Sequence, residues 1–195
     1  MKIWVIIITA IILLISFSIF GCMKLKHINN QNKKPDKSFY DLKAKDINGK
    51  EILMSDYKDK KILIVNVASK CGYTPQYESL QNLYEDYKGN LCILAFPSND
   101  FLNQEPGTNQ EIKTFCKTNF GVQFDIFEKI SVKGDDIHPI YSWLSNKKNN
   151  GWNNKNPIWN FSKYLIDEDG VLVGFWGPSI DPQSDEIKSK LAPKN

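Results

Sequence analysis

The sequence predicts an α/β domain, a mixed central sheet flanked by helices. Three observations carry this expectation. Two apolar runs of strand length, Ile62–Val67 and Leu91–Phe96, are each followed by a segment of helical periodicity, Gln76–Tyr87 and Asn109–Phe120. Two later runs, Ile158–Ile166 and Val171–Trp176, read as paired strands across Asp167-Glu168-Asp169-Gly170. The 195 residues are 42% hydrophobic and 12% aromatic, enough for a substantial core in one domain of about 150 residues plus an appendage.

The appendage comes first. Residues 3–20 are almost unbroken hydrophobic, preceded by Lys2 and followed by Lys24 and Lys26. The run is long for a signal-peptide core and slightly short of a bilayer span of about 20 residues. It ends Ser18-Ile19-Phe20-Gly21-Cys22, which resembles a bacterial lipobox, with Phe20 departing from the small or β-branched residue usual there. Residues 1–22 are therefore expected to form a signal or anchor segment with Cys22 as the lipid attachment point. An uncleaved single-pass anchor and plain secretion are the alternatives. More lysines follow the run than precede it, and in an uncleaved anchor this would hold the domain in the cytoplasm. The expectation is a membrane-associated, extracytoplasmic lipoprotein. Residues 23–37, rich in Lys and Asn, read as a flexible tether, and 38–195 as the domain proper.

Within the domain, Phe39–Tyr57 holds two short segments around Asp46-Ile47-Asn48-Gly49, and Asn-Gly is a strong hairpin signal, so an N-terminal β-hairpin is expected. Ile62–Val67 is a buried-type strand. In the following helix Tyr77, Leu80, Leu83, Tyr84 and Tyr87 recur at three- and four-residue steps. Leu91–Phe96 is the second buried strand, and Asn109–Phe120 a helix with Ile112, Phe115 and Cys116 on one face. His138 precedes a short amphipathic segment with Ile140, Trp143 and Leu144, where it suits a helix start. Asn146–Asn156 reads as a surface loop, with Trp152 unusual in it. Ile187 and Leu191 mark a last helix. The chain shows no internal repeat.

Charge and cysteine usage narrow the function. Twenty-five basic against 22 acidic residues, interspersed, leave a net +3 and no basic stripe for nucleic acid. The four cysteines, at 22, 71, 92 and 116, lack the short spacings of a zinc site. Cys71 stands in Asn66-Val67-Ala68-Ser69-Lys70-Cys71-Gly72-Tyr73-Thr74, on the turn from strand to helix. A cysteine there is expected to be partly exposed and to face the amide end of a helix, an environment that favours the nucleophilic thiolate. Position 74 is threonine, so this is no Cys-x-x-Cys pair and any partner thiol must come from elsewhere. Cys92, inside an apolar strand, reads as packing.

Two further stretches join the Asn66–Thr74 run. One is Phe96-Pro97-Ser98-Asn99-Asp100-Phe101-Leu102-Asn103-Gln104-Glu105-Pro106-Gly107, and the other Trp159-Asn160-Phe161. In this order the three resemble the glutathione peroxidase family, over about Phe39 to Leu191. The resemblance implies a thioredoxin-like fold and reduction of hydrogen peroxide and organic or lipid hydroperoxides, without a prosthetic cofactor or metal. By position it implies Cys71 as the peroxidatic residue, with Gln104, Trp159 and Asn160 completing the site. That assignment suits the chemistry: charge develops on the leaving oxygen of the peroxide, and neutral fixed donors lower the barrier without acting as bases.

Cys116, in Phe115-Cys116-Lys117-Thr118-Asn119-Phe120, stands where members that recycle through an internal disulfide carry a resolving cysteine. The resemblance therefore implies condensation of a Cys71 sulfenic acid with Cys116. A thioredoxin-type dithiol would then open the disulfide, with glutathione secondary. Ser98 and Asp100 depart from the cysteine and glutamine of many relatives. The short segment between Asp125 and Trp159 resembles the monomeric, phospholipid-hydroperoxide type. Two other readings use the same residues: a peroxide sensor passing oxidation to a client protein, and a non-catalytic thioredoxin-fold binding module. The joint presence of Cys71, Gln104, Trp159 and Asn160 argues against the last.

Overall fold

The structure, a computed structural model, describes residues 37–192. The apolar run, Cys22 and the tether up to residue 36 lie outside the described residues, as do 193–195. Lys37 is described, and its carbonyl accepts a 2.9 Å hydrogen bond from the Trp143 indole.

The N-terminal hairpin forms as expected. Strands β1 (Lys43–Lys45) and β2 (Glu51–Leu53) pair antiparallel as a separate two-stranded sheet. Asp46 organises the turn: its Oδ1 accepts from the Asn48 and Lys50 amides, both at 2.9 Å. Gly49 supplies the left-handed residue at φ 87°.

The main sheet has five strands: β3 (Lys61–Val67), β4 (Leu91–Pro97), β5 (Asp125–Ile126), β6 (Lys163–Ile166) and β7 (Leu172–Trp176). Their spatial order is β5-β4-β3-β6-β7. β3 lies at the centre with all seven residues buried, as its apolar run Ile62–Val65 requires. It pairs parallel with β4 and antiparallel with β6, so Val65 faces Ala95 on one side and Lys163 on the other. This arrangement positions the site. The ends of β3 and β4 and the beginning of β6 lie at one edge of the sheet, and the loops 68–75, 98–108 and 158–162 emerge together there.

Alternation along β3 divides the core. Leu63, Val65 and Val67 face one side with α1 (Gln76–Asp86), α2 (Asn109–Phe120) and α5 (Asp185–Leu191), through Leu80, Leu83, Ile112, Cys116, Ile187 and Leu191. Ile62 and Ile64 face the other side with Phe39, Met54 and α3 (Pro139–Leu144). Helices thus cover both faces. His138 caps α3 as its position suggests, Nδ1 accepting from the Ile140 amide at 3.3 Å.

Two expectations are corrected. The strand expected over Ile158–Ile166 begins only at Lys163, because Phe161 takes φ 64° and breaks the extended run. The Asn-rich stretch 146–156 is no plain surface loop. It contains a short helix, α4 (Lys147–Asn150), and buries Asn150 and Asn153. The Asn150 amide donates to the carbonyls of Trp143, Leu144 and Asn153, and the Asn153 amide to Leu144 and Lys155. These amides are buried because every donor they carry is used on irregular backbone. Trp152 keeps 40% exposure while its indole N–H binds the Leu172 carbonyl.

Among the described residues no helix is long and apolar enough to cross a membrane.

Candidate active site

Cys71 sits four residues beyond the end of β3, on a turn that Thr74 holds. The Thr74 hydroxyl donates to the Ala68 carbonyl at 2.8 Å and accepts from the Cys71 amide at 3.0 Å. The Thr74 amide in turn donates to the Cys71 carbonyl at 3.0 Å. The chain passes directly into α1 through bonds from the Gln76 and Tyr77 amides to Tyr73 and Thr74. Cys71 Sγ accepts from the Tyr73 amide at 3.4 Å, a backbone N–H of the turn that leads into α1. Its exposure is lower than expected, at 7%, because it joins the core cluster of Ala68, Tyr77 and Phe161.

Gln104 is delivered by the loop after β4. Asn99 closes this loop, Oδ1 accepting from the Glu105 amide at 2.8 Å and Nδ2 donating to Asn103 at 3.1 Å. Leu102 and Asn103 both adopt left-handed φ, 52° and 53°. For a leucine this costs roughly 1–2 kcal/mol, which the surrounding bonds must hold down. Asp100 anchors the loop's outer side, accepting from the Val132 amide at 2.6 Å and the Ser131 hydroxyl at 3.0 Å. The Gln104 carbonyl accepts from the Lys70 amide at 3.0 Å, which joins this loop to the residue before Cys71.

Trp159 and Asn160 are held by Asn66, the next-to-last residue of β3. Asn66 Nδ2 donates to the Trp159 carbonyl at 3.1 Å, Oδ1 accepts from the Ser162 amide at 3.1 Å, and its own carbonyl accepts from the Phe161 amide at 2.6 Å. The half-buried Trp159 ring lies 5.4 Å from that of Phe101. Asn160 is fully buried, and its Nδ2 donates to Gln104 Oε1 at 2.9 Å. That bond orients Gln104: with Oε1 engaged by Asn160, its NH2 group is the end left to donate.

The structure therefore bonds Asn160 to Gln104 and Gln104 to the Cys71 turn, with Trp159 on the same loop as Asn160. Cys116 is placed differently. It lies in the last half of α2, fully buried, in the same core cluster as Cys71, and the two are free thiols. Burial pushes its pKa up to about 11, with Glu105 adding to the rise and the Tyr77 hydroxyl opposing it. α2 is capped at both ends: Thr108 and Glu111 form a capping box, and Gly121 closes the helix at φ 60°. The Cys116 carbonyl is itself part of that closure, accepting from the Val122 amide at 3.3 Å. Cys92 is half-buried on β4 and its pKa is raised by burial, consistent with a packing role. Cys22 lies outside the described residues.

A cavity of about 410 Å³ opens beside the site, lined by Ser69, Lys70, Glu105, Gly107, Ile112 and Phe115 among others. It lies between the residues just before Cys71 and the α2 face that carries Cys116. Glu105 is 1% exposed, accepts from the Ser69 hydroxyl at 3.1 Å, and has its pKa raised by burial. Among the described residues no cluster of His, Cys, Asp or Glu is placed to hold a metal.

Sequence reasoning passed over Asn66, Thr74 and Lys163. One signal was available: Asn66 and Lys163 are polar residues inside otherwise apolar strands, where an unpaired polar group is costly. Thr74 carries no such signal, since its hydroxyl is matched to the turn only once the turn is formed.

Comparison with known proteins adds a further constraint. A family model described as "Glutathione peroxidase" matches residues 39–145, a span that includes Cys71, Gln104 and Cys116 and ends before Trp159. The chain is 50% identical over 146 residues to "Glutathione peroxidase homolog BsaA" of Halalkalibacterium halodurans, covering 74% of this chain and 92% of that protein. It is 47% identical over 157 residues to "Glutathione peroxidase" of Lactococcus lactis, covering 79% and 99%. "Glutathione peroxidase-like peroxiredoxin 2" of Saccharomyces cerevisiae is 43% identical over 158 residues, covering 80% and 98%. Among solved structures, that of T. cruzi GPX1 matches with a TM-score of 0.63 and 34% identity, covering 80% of this chain and 94% of the other. A thioredoxin family thiol:disulfide interchange protein from Chlorobium tepidum matches at TM-score 0.56 and 13% identity, covering 83% and 99%. With these neighbours the fold is thioredoxin-like.

Proposed function

This chain belongs to the glutathione peroxidase family, and from that premise we propose that it is a thiol peroxidase in which Cys71 is the reacting thiol. The Cys71 thiolate attacks one peroxide oxygen, the O–O bond breaks, and the other oxygen leaves with a proton as water or alcohol. Cys71 becomes a sulfenic acid. Gln104, Trp159 and Asn160 stabilise the charge that grows on the leaving oxygen. One observation carries this reading: the 2.9 Å bond from Asn160 engages Gln104 Oε1 and leaves the NH2 group free to donate, on a loop whose Gln104 carbonyl is bonded to the residue before Cys71.

In the second half of the cycle the Cys116 thiol condenses with the sulfenic acid, releasing water and forming a 71–116 disulfide. Two electrons from an external dithiol then restore both thiols. A thioredoxin-type protein supplies that dithiol, with glutathione secondary. Cys116 is buried in a helix capped at both ends, so this step requires local opening of α2. Hydrogen peroxide and organic or lipid hydroperoxides are the substrate class. Leu102 at 77% and Ile158 at 64% exposure, each within two residues of a site residue, suit an apolar peroxide.

A second reading has one observation in its favour. Because Cys116 must first be released from α2, the sulfenic acid persists long enough for a client protein thiol to compete, as a peroxide sensor or relay would need.

The amino-terminal reading is a lipid anchor on Cys22 that holds a monomeric domain at the outer face of a membrane, a single-pass anchor or secretion being the alternatives. Labelling with a fatty-acid probe that persists in Cys22→Ala would remove the lipid-anchor reading.

The function is tested by a coupled peroxidase assay on residues 37–195, run with thioredoxin and with glutathione. Peroxide-dependent turnover with thioredoxin is expected. No turnover with either reductant, together with an unoxidised Cys71, would refute the proposal.

A further inference from the structure

Lys163, the first residue of β6, is fully buried between Val65 and Trp176 in the sheet register, and the chemistry above makes no use of it. Its Nζ donates to the Phe161 carbonyl at 2.9 Å and to the Ile180 carbonyl at 2.7 Å. We propose that Lys163 is a positioning residue for the peroxide step, fixing the Trp159–Asn160 loop and the segment that holds α1 behind Cys71 to a single buried point.

Both arms of this clamp lead to the reacting groups. On one side, Phe161 occupies the left-handed region at φ 64°, a conformation that non-glycine residues rarely adopt. Its amide is held by Asn66, its ring meets Tyr77 edge-on at 5.5 Å, and its carbonyl is held by Lys163. The peptide that follows Asn160 is thereby fixed, and with it the direction from which the Asn160 amide reaches Gln104. On the other side, Ile180 lies in a segment bound to α1. Gln76 Nε2 donates to the Pro178 carbonyl at 2.6 Å, and the Ser79 hydroxyl to Asp181 Oδ2 at 3.0 Å. α1 begins five residues after Cys71, so the sulfur and the donor loop share one reference point.

The lysine is held here by its two bonds, not by a charge partner. Burial drives its pKa down to about 7, against the milder pull of Asp181. Burying a charge without a carboxylate in contact is costly, and an apolar side chain would leave the Phe161 and Ile180 carbonyls without this donor, so what the lysine adds is the link between them. Either protonation state keeps at least two N–H donors, enough for the two carbonyls, so the clamp holds on both sides of neutrality.

The inference rests on the reading of Trp159 and Asn160 as donors to the leaving oxygen, and its test uses a contrast specific to that role. Iodoacetamide alkylates the same thiolate without an oxyanion leaving group. A general loosening of the turn changes both rates, whereas a displaced donor loop slows only the peroxide reaction. In full-length wild type, Lys163→Met and Lys163→Gln, Cys71 oxidation by hydrogen peroxide and alkylation by iodoacetamide are followed by quenched mass spectrometry. The ratio of the two rates is expected to fall about tenfold or more in Lys163→Met, with alkylation within about twofold of wild type. A ratio that stays within about threefold of wild type, including the case where both rates fall together, overturns the inference. Lys163→Gln, whose amide nitrogen ends one atom short of the Nζ position and so cannot hold both carbonyls, should lower the ratio in the same direction and decides by the same threshold if Lys163→Met does not fold. A wild-type Cys71 no faster toward peroxide than free cysteine would sink the functional reading, and this inference with it. A fast wild type with unchanged ratios in the variants would sink the inference alone.

Discussion

Thr74→Val tests how the Cys71 turn is built. Valine matches threonine in shape, so the substitution opens no cavity and removes only the hydroxyl. That hydroxyl makes two buried bonds, to the Ala68 carbonyl at 2.8 Å and from the Cys71 amide at 3.0 Å. Without it, one carbonyl and one amide lose their partner in a site where Thr74 is 8% exposed and Cys71 7%. An unsatisfied buried group costs about 1–3 kcal/mol, so the pair should cost about 2–4 kcal/mol after partial relaxation. For a domain of this size that corresponds to a fall in Tm of roughly 5–15 °C. Urea denaturation at fixed protein concentration measures the first figure and calorimetry the second. Thr74→Ser keeps the hydroxyl and should lose about 1 kcal/mol or less, which separates the bonds from the missing methyl group. The turn also carries the Cys71 sulfur, the proposed nucleophile, so the rate of Cys71 oxidation should fall in Thr74→Val and hold in Thr74→Ser. If Thr74→Val were within about 0.5 kcal/mol of wild type and equally reactive, these bonds would not hold the turn.

Three further outcomes are expected. Cys71→Ser should reduce peroxidase activity to background while Cys92→Ser keeps most of it, because a hydroxyl is a far weaker nucleophile than a thiolate; the coupled assay distinguishes them, and near wild-type turnover in Cys71→Ser would remove the central assignment. Cys116→Ser should consume one equivalent of peroxide and then stall with thioredoxin, and full thioredoxin-driven turnover would make Cys116 a core residue only. His138 supplies a pH test. Burial lowers its pKa below the ordinary imidazole value, so its contribution to stability is fully present above pH 6.5 and lost as pH falls through the depressed value, when protonation removes the acceptor that caps α3. Denaturant midpoints between pH 7 and 5 should therefore fall more steeply for wild type than for His138→Asn, a cap without a titrating group, by about 1 kcal/mol; parallel curves would show that the cap does not titrate.

What the sequence by itself determined is what periodicity and turn chemistry encode within a few residues. The buried strand around Ile62–Val67, the helix Asn109–Phe120 and the Asn-Gly hairpin follow from a short apolar run, helical spacing and one glycine, and the structure reproduces them. Cys71 was legible for the same reason, since a cysteine between a strand and a helix is a local pattern. Tertiary structure decided the rest. The strand expected from Ile158 starts only at Lys163 because Asn66, 95 residues before Phe161 in the chain, holds Phe161 in a conformation its own sequence disfavours. The Asn-rich stretch looked solvated, but Asn150 and Asn153 are buried because carbonyls folded around them use every amide hydrogen. Local propensity sums over neighbours in the chain. The Trp159–Asn160 loop is set by Asn66, a partner that becomes a neighbour only when the antiparallel β6 brings its beginning to the ends of β3 and β4.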